Sequence, residues 1–364
     1  MQLKPYLKLR LLDCKSICVS NKTVILTGKK TGLIILLISA AAAFILNIAT
    51  GSVSIPLKEI ISSLFNAVNT VNAESISSSR MWNAIIFEMR LPRALTAAAG
   101  GGALALSGLL LQTFFRNPLA GPDVLGIASG AGLGAALVIL AFPFLQTGGI
   151  SSVAASAAGA SAVTIFLVFL VKKYESMTLT LIAGLLSGYF LHSITGIMIR
   201  FSSNQALRSF INWSAGSFRN TSLGDLNIFI PVFALSFIAA FIISKQSDLY
   251  LLGEEYASSM GLNIRRYRFA VIVLASVMTG AVTALCGPVS FIGIAAPHFC
   301  RMVLKTDRHV LLVPGVILSG AILALGADML TALPGGGTVL PLNSVTAIIG
   351  APIVIKVLLK RHYD

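Results

Sequence analysis

Charge is what this sequence has least of. Only 11% of its 364 residues are Asp, Glu, Lys or Arg, against roughly a quarter in a soluble domain, too few to cover a water-facing surface. Acidic residues are scarcest, 13 beside 27 Lys and Arg. The resulting charge of +14 does not read as a nucleic-acid footprint, because the basic residues fall in short loops between apolar runs, where they orient membrane helices. Cysteine is nearly missing. Cys14 and Cys18 lack Cys-x-x-Cys spacing, and Cys286 and Cys300 lie in apolar segments, so neither a disulfide framework nor a metal site is implied. A Gly-x4-Gly-Lys-Ser/Thr loop is also lacking, and "TGKKTG" at 27–32 fails the spacing. The chain therefore does not bind ATP through a P-loop. No nucleophile–base or metal-ligand cluster points to a membrane-embedded enzyme.

Apolar residues make up 56% of the chain. They come in continuous runs near or above the ~18 residues that mark a membrane span. In lipid the backbone must satisfy its own hydrogen bonds, which leaves helices or a closed barrel. Continuous rather than alternating runs predict helices. Ten candidates cover 31–49, 92–115, 124–143, 152–171, 178–200, 225–243, 268–286, 288–304, 310–330 and 343–359. Gly287 and Pro288 mark a kink or a turn between the seventh and the eighth. The basic stretch 1–30 is longer than the n-region of a secretory signal, so the first run reads as a retained helix. The expected class is an all-α membrane protein: a basic cytoplasmic leader, 1–30, and a single ten-helix domain, 31–364.

Ten spans put both termini on one side. If that side is the cytoplasm, 20 of the 27 Lys and Arg fall inside and 7 outside, a clear positive-inside bias. Residues 50–90 and 200–224 are then external. The first holds a short surface helix around "SIPLKEIISSLFNAV", and the second holds Trp213 as an interface anchor. Residues 244–267 form the longest internal loop. Within it a short helix over 251–261 is expected, with Glu254 and Glu255 early, where the helix dipole favours negative charge. Tyr256, Ala257 and Met260 share an apolar face by helical spacing.

Two arginines run against the basic trend. Arg90 and Arg93 flank Pro92 on the outside, at the mouth of the Gly/Ala-rich run "AAAGGGALALSG". Pro92 suits a first helical turn. Either the long stems snorkel to the interface, or the pair faces outward to meet a carboxylate-bearing partner or an anionic solute. Gly126, Gly130 and Gly134, and likewise Gly184 and Gly188, recur at four-residue spacing, which lets helices approach closely. Intramembrane ionisable groups are few, chiefly Asp328 and His298. A lone Asp near an interface is thin support for ion coupling.

A longer signature accumulates along the chain. "RLPRALTAAAGGGALALSGLLLQTFFRNPLAGPDVLGIASGAGLGAAL" (90–137), Trp213 with Gly216 and Ser217, "LLGEEYASSMGLNIRRYR" (251–268), "GPVSFIGIAAPHFCRMV" (287–303), "PGVILSGAILALGAD" (314–328) and "LPLNSVTAIIGAPIVI" (340–355) occur in order. Together they resemble the permease subunits of bacterial iron-siderophore, haem and vitamin B12 ABC importers, the FecCD-type, type II importers. The resemblance covers about 90 to 364.

It implies ten helices in the inner membrane and two permease subunits around a central path, here a homodimer. Two ABC ATPases sit inside, using ATP and Mg, and a substrate-binding protein docks outside; the permease itself binds no cofactor. The resemblance gives Arg90 and Arg93 to receptor docking. It gives Leu252, Gly253, Glu254, Glu255, Tyr256, Ala257, Met260 and Gly261 to ATPase coupling. An inner gate falls near Met177, Thr178 and Thr180. The arginine that usually follows the ninth-helix Asp is Ala332 here, which throws more of the docking onto Arg90 and Arg93. The competing reading is an ion-coupled secondary transporter.

Overall fold

The computed structural model describes residues 30–50, 82, 84–142, 150–174, 176–332 and 339–363. Among these, every regular element is helical. The helices are α1 (Lys30–Ala49), α2 (Ile85–Phe114), α3 (Ile127–Ala141), α4 (Ile150–Tyr174), α5 (Met177–Phe201), α6 (Asn204–Ser214), α7 (Leu223–Ile242), α8 (Ser244–Leu251), α9 (Glu254–Ser259), α10 (Ile264–Cys286), α11 (Ile292–Leu304), α12 (His309–Thr331) and α13 (Leu342–Tyr363). Seven are long and apolar enough to cross a membrane; α3, α11 and the 342–356 part of α13 are shorter apolar helices. Residues 1–29 of the leader and residues 51–81, with the expected surface helix, lie outside the described residues.

The bundle is organised around α2. Its most apolar stretch is 83% buried, whereas that of α5 is 17% buried. Small residues explain the difference. A Cβ on Gly101 would meet Gly320 and Ala324 of α12, and one on Gly108 would overlap the backbone carbonyl of Gly293 on α11. Backbones can approach this closely only where side chains are missing. The four-residue glycine spacing acts in the same way elsewhere. Gly130 and Gly134 sit on Gly159 and Ala155 of α4, while Gly184 and Gly188 of α5 sit on Leu125 and Gly126.

Side-chain caps fix several helix starts. Ser176 accepts from Leu179 N–H, Ser203 from Ala206 N–H and Asn263 from Arg266 N–H. Ser222 and Asp225 complete a capping box at α7, each satisfying N–H groups the helix cannot bond internally.

Some expected boundaries move. The helix placed at 92 begins at Ile85 with a π-type turn, and the regular α-helix with Pro92 in its first turn continues from it. Arg90 and Arg93 therefore project from within a helix, not from its mouth. The helix placed at 124 begins at Ile127, after a 3-10 turn at Pro122–Leu125 and a left-handed Gly126. The eighth candidate resolves as a break: Gly287 has φ +74°, Phe291 has φ +67°, and α11 starts at Ile292. At 13 residues and 1.5 Å per residue, α11 is about 20 Å long. The stretch 200–224, expected outside, contains α6, whose Ala206 and Phe210 are buried. Trp213 stacks on Phe210 at 5.9 Å. The stretch 244–267, expected inside, holds two short helices, α8 and α9.

Candidate functional site: the two ends of the helix bundle

At the end of the bundle expected to face the cytoplasm, α9 opens on Gly253, whose φ of +120° suits a residue without Cβ. Glu254 and Glu255 occupy its first turn. The Arg268 guanidinium grips both Glu254 oxygens, at 2.7 and 2.6 Å. The Tyr250 hydroxyl donates to Oε1 at 2.9 Å. Burial pushes the Glu254 carboxyl up. The hydrogen bonds from Arg268 and Tyr250, with the charges of Arg268 and Arg116, outweigh it and hold the group below the usual carboxylate range. The six-residue helix α9 is thereby anchored to α8 and α10, which a bare surface turn would not be.

The expected apolar face of α9 divides in two. Ala257 is fully buried against the permease itself, while Leu252, Tyr256 and Met260 are 54–65% exposed. Tyr256 and Met260, four residues apart, form an apolar ridge facing away from the bundle, and Leu252 is exposed just before the break at Gly253. Gly261 takes a left-handed φ of +86° and turns the chain into α10. Beside the ridge lies a cleft of about 490 Å³, lined by Val171, Glu254, Glu255, Ser258, Ile264, Arg265 and Arg268. A second cleft of about 460 Å³, bordered by Leu251, is lined by Gln112, Thr113, Arg116, Pro118, His298, Arg301 and Asp307. His298 bonds the Pro118 carbonyl oxygen at 3.0 Å, and Arg301 donates to Gln112 Oε1 at 2.8 Å.

The three expected gate residues at the start of α5 separate. Thr178 is exposed, Thr180 is buried and donates to Ser176 O at 2.8 Å, and Met177 is half-buried. The Met177 sulfur accepts from the Tyr250 hydroxyl at 2.9 Å, so the gate residues and the α8–α9 segment meet at one atom. Tyr250 and Arg268 were not singled out from the sequence. The available signal for Tyr250 was its position four residues before Glu254. A further polar chain, from Asp248 through His309 to Thr113 with both links at 2.7 Å, ties α8 to α12 and α2. It left no sequence signature.

At the opposite end, expected to face outward, Arg90 and Arg93 are 7% and 8% exposed. Arg90 donates to the Ile48 and Ala49 carbonyl oxygens at 2.7 and 3.1 Å, closing the C-terminus of α1. Arg93 is ion-paired with Asp328, 2.7 Å from Nε to Oδ2, and also donates to the Asp328 backbone oxygen. Asn47 donates to the same carboxylate at 2.8 Å. Arg219 lies on the exposed surface, within electrostatic reach of Arg93 and Asp328. Among the described residues no three His, Cys, Asp or Glu converge as a metal site would need.

Apolar helices of membrane-crossing length, packed through small residues and carrying an anchored amphipathic helix at one end, define a multi-pass membrane permease. The chain belongs to the FecCD transport family, which matches residues 36–360. It is similar to the vitamin B12 import system permease protein BtuC of Vibrio cholerae, with 34% identity over 76% of this chain and 83% of the relative. It is also similar to the hemin transport system permease protein HmuU of Yersinia pestis, with 32% identity over 80% and 90%. The Fe(3+) dicitrate transport system permease protein FecD of Escherichia coli is 34% identical over 76% and 86%. A solved metal-chelate type ABC transporter in an inward-facing conformation superposes with a TM-score of 0.77 at 26% identity, covering 90% of this chain and 98% of that one. Like these relatives, the protein is a multi-pass protein of the inner membrane.

Proposed function

We infer that the chain is the membrane subunit of an ATP-driven importer that receives an iron chelate, haem or a corrinoid from an external binding protein and releases it into the cytoplasm. The observation that carries this reading is α9. It is a short helix outside the spans, clamped by the Arg268–Glu254 ion pair, with Tyr256 and Met260 exposed on it and Leu252 exposed just before it. A soluble motor can push such an element without unfolding it. Two partner ATPases supply the hydrolysis with ATP and Mg, and the chain itself binds no cofactor.

Ten crossings with both termini cytoplasmic is the topology we favour; seven long spans and three short apolar helices and the 20-to-7 distribution of the 27 basic residues support it. The exposed face of α5 carries Tyr189 and His192. An imidazole in a span belongs against protein or water, not lipid, which supports a second copy of the chain across this face and a path between the two. Thr178 opens the same face at its inner end. The receptor docks on the outer rim at exposed Arg219, beside the buried clamp of Arg90 and Arg93.

Ion-coupled transport draws less support. Asp328, the carboxylate best placed for it, is held by Arg93 and Asn47. Reconstitution with the ATPase and the cognate receptor, assayed separately with cyanocobalamin, haemin and a ferric siderophore, tests the proposal. Uptake of one of them should require ATP. Uptake driven by a proton or sodium gradient with the ATPase left out would establish the ion-coupled reading instead.

A further inference from the structure

We propose that the Tyr250 hydroxyl is the positioning group that ties the coupling helix α9 to the inner gate at the start of α5, by sharing its one proton between Glu254 and Met177. This rests on the reading of α9 as the ATPase-coupling element and of the start of α5 as the gate. It adds the physical link between them.

The ring is locked on every side. Tyr250 is fully buried. Its centroid is 4.8 Å from that of Tyr267 and 6.4 Å from that of Phe114, which lies parallel to it. The Arg116 guanidinium stands 4.9 Å over the ring and donates to the Tyr250 backbone oxygen at 2.9 Å. A ring held in this way presents its hydroxyl at a fixed point. Two acceptors for its proton meet at that point, Glu254 Oε1 at 2.9 Å and Met177 Sδ at 2.9 Å, while the Arg268 guanidinium also bonds the hydroxyl and, as a donor only, does not compete for that proton.

A phenol has one proton to give. A carboxylate is a far stronger acceptor than a thioether, so with α9 seated as here the proton lies toward Glu254 and the contact with Met177 is weak. When α9 is displaced, the Glu254 carboxylate moves off. The hydroxyl then donates to Met177, and the inner turn of α5 gains a bond to the core. Movement of α9 thus changes how firmly the first turn of α5 is held. Packing alone does not require this arrangement, since a phenylalanine would fill the same space between Phe114 and Tyr267.

The test uses the permease–ATPase complex in lipid nanodiscs, with Cys14→Ser, Cys18→Ser and Thr178→Cys in every version. The rate at which a maleimide modifies the thiol at position 178 is compared without nucleotide and with ATP plus vanadate. In this parent the two rates should differ by about tenfold, the size of ordinary coupling between sites. Tyr250→Phe and Met177→Leu should each bring the ratio close to one while the complex still assembles. Met260→Glu, on the exposed ridge, checks the coupling surface separately. If Met260→Glu abolishes the nucleotide effect but Tyr250→Phe and Met177→Leu both keep it in full, the tie is overturned and α9 remains the coupling element. If Met260→Glu also keeps it, or the parent shows no nucleotide effect, the underlying reading falls and the tie falls with it. Should Tyr250→Phe fail to assemble, Met177→Leu alone decides.

Discussion

Arg93 and Asp328 form an ion pair buried at one end of the bundle, joining α2 to α12 across 235 residues of chain. Asn47, from the end of α1, donates to the same carboxylate, and Arg90 closes the last carbonyl groups of α1. A cation at a helix C-terminus answers both the orphan carbonyls and the negative end of the dipole. The two arginines that stand out in the sequence as external cations therefore clamp three helices together. Their heads face protein, which neither snorkelling nor a free outward-facing pair describes.

Asp328→Asn should destabilise the protein strongly, by about 3–5 kcal/mol, because it leaves the Arg93 charge buried without its counter-ion. Replacing both partners with apolar residues, Arg93→Met with Asp328→Leu, should recover much of that loss, since no buried charge then remains. Thermal unfolding in detergent checks the order. A double variant no more stable than Asp328→Asn would show that the pair is not an isolated electrostatic unit.

The crossing of α2 with α11 makes a steric prediction. Any Cβ on Gly108 collides with the backbone of Gly293, whereas Gly132 has nothing within 4 Å of the same position. Gly108→Ala should cost about 1–3 kcal/mol or more, because helix backbones cannot relax as a side chain can. Gly132→Ala should be neutral or slightly stabilising through helix propensity. Yield and melting temperature of the two variants, measured side by side, should rank in that order.

The long helices were legible because a continuous apolar run has few other fates in lipid. The breaks were less so. Phe291 takes a left-handed conformation that nothing in its own identity announces, and the π-type turn before Leu91 extends α2 through a stretch that ends in charge. Helices α6 and α8 were passed over because they are short and partly polar, without the apolar length that marked the spans. The acidic start of α9 was legible from helix-dipole logic. Its clamp was not, because Arg268 and Tyr250 reach Glu254 through the fold. The helical spacing that grouped Tyr256, Ala257 and Met260 misassigned Ala257, which turns inward while the other two turn out.

The Glu254 clamp also sets a pH response. The folded carboxyl sits below its ordinary value, with burial opposing the shift and the bonds from Arg268 and Tyr250 overcoming it. A group depressed on folding adds stability above its unfolded pKa and loses it as pH falls through the folded one. Acidification from neutral into the range below the usual carboxylate value should therefore loosen α9. Hydrogen-exchange protection in 254–260, measured relative to the intrinsic rate at each pH, should fall there. Glu254→Gln should be less protected at neutral pH and show a smaller further fall on acidification. Equal acid responses in the two proteins would remove Glu254 as the titrating group.

The outer rim needs a different test from the one the sequence invites. Arg→Glu at positions 90 and 93 would break the buried clamp, so any loss of receptor binding would be indistinguishable from unfolding. Arg219 is exposed beside that clamp and can be reversed without burying a charge. If the receptor presents carboxylates to this rim, Arg219→Glu should raise its Kd. A single exposed pair is worth only about 0–1 kcal/mol. A two-fold permease would present the residue twice, and contacts made by one rigid receptor reinforce each other. Reversal also adds repulsion, so the effect should exceed that of Arg219→Ala. It should be largest at low ionic strength and fade as salt shortens the screening length. Affinity of purified receptor for the wild-type, Ala and Glu permeases in nanodiscs, measured at low and high salt, decides the matter. Equal affinities at low salt would remove Arg219 from the docking surface and place the receptor's charged contacts elsewhere on the rim.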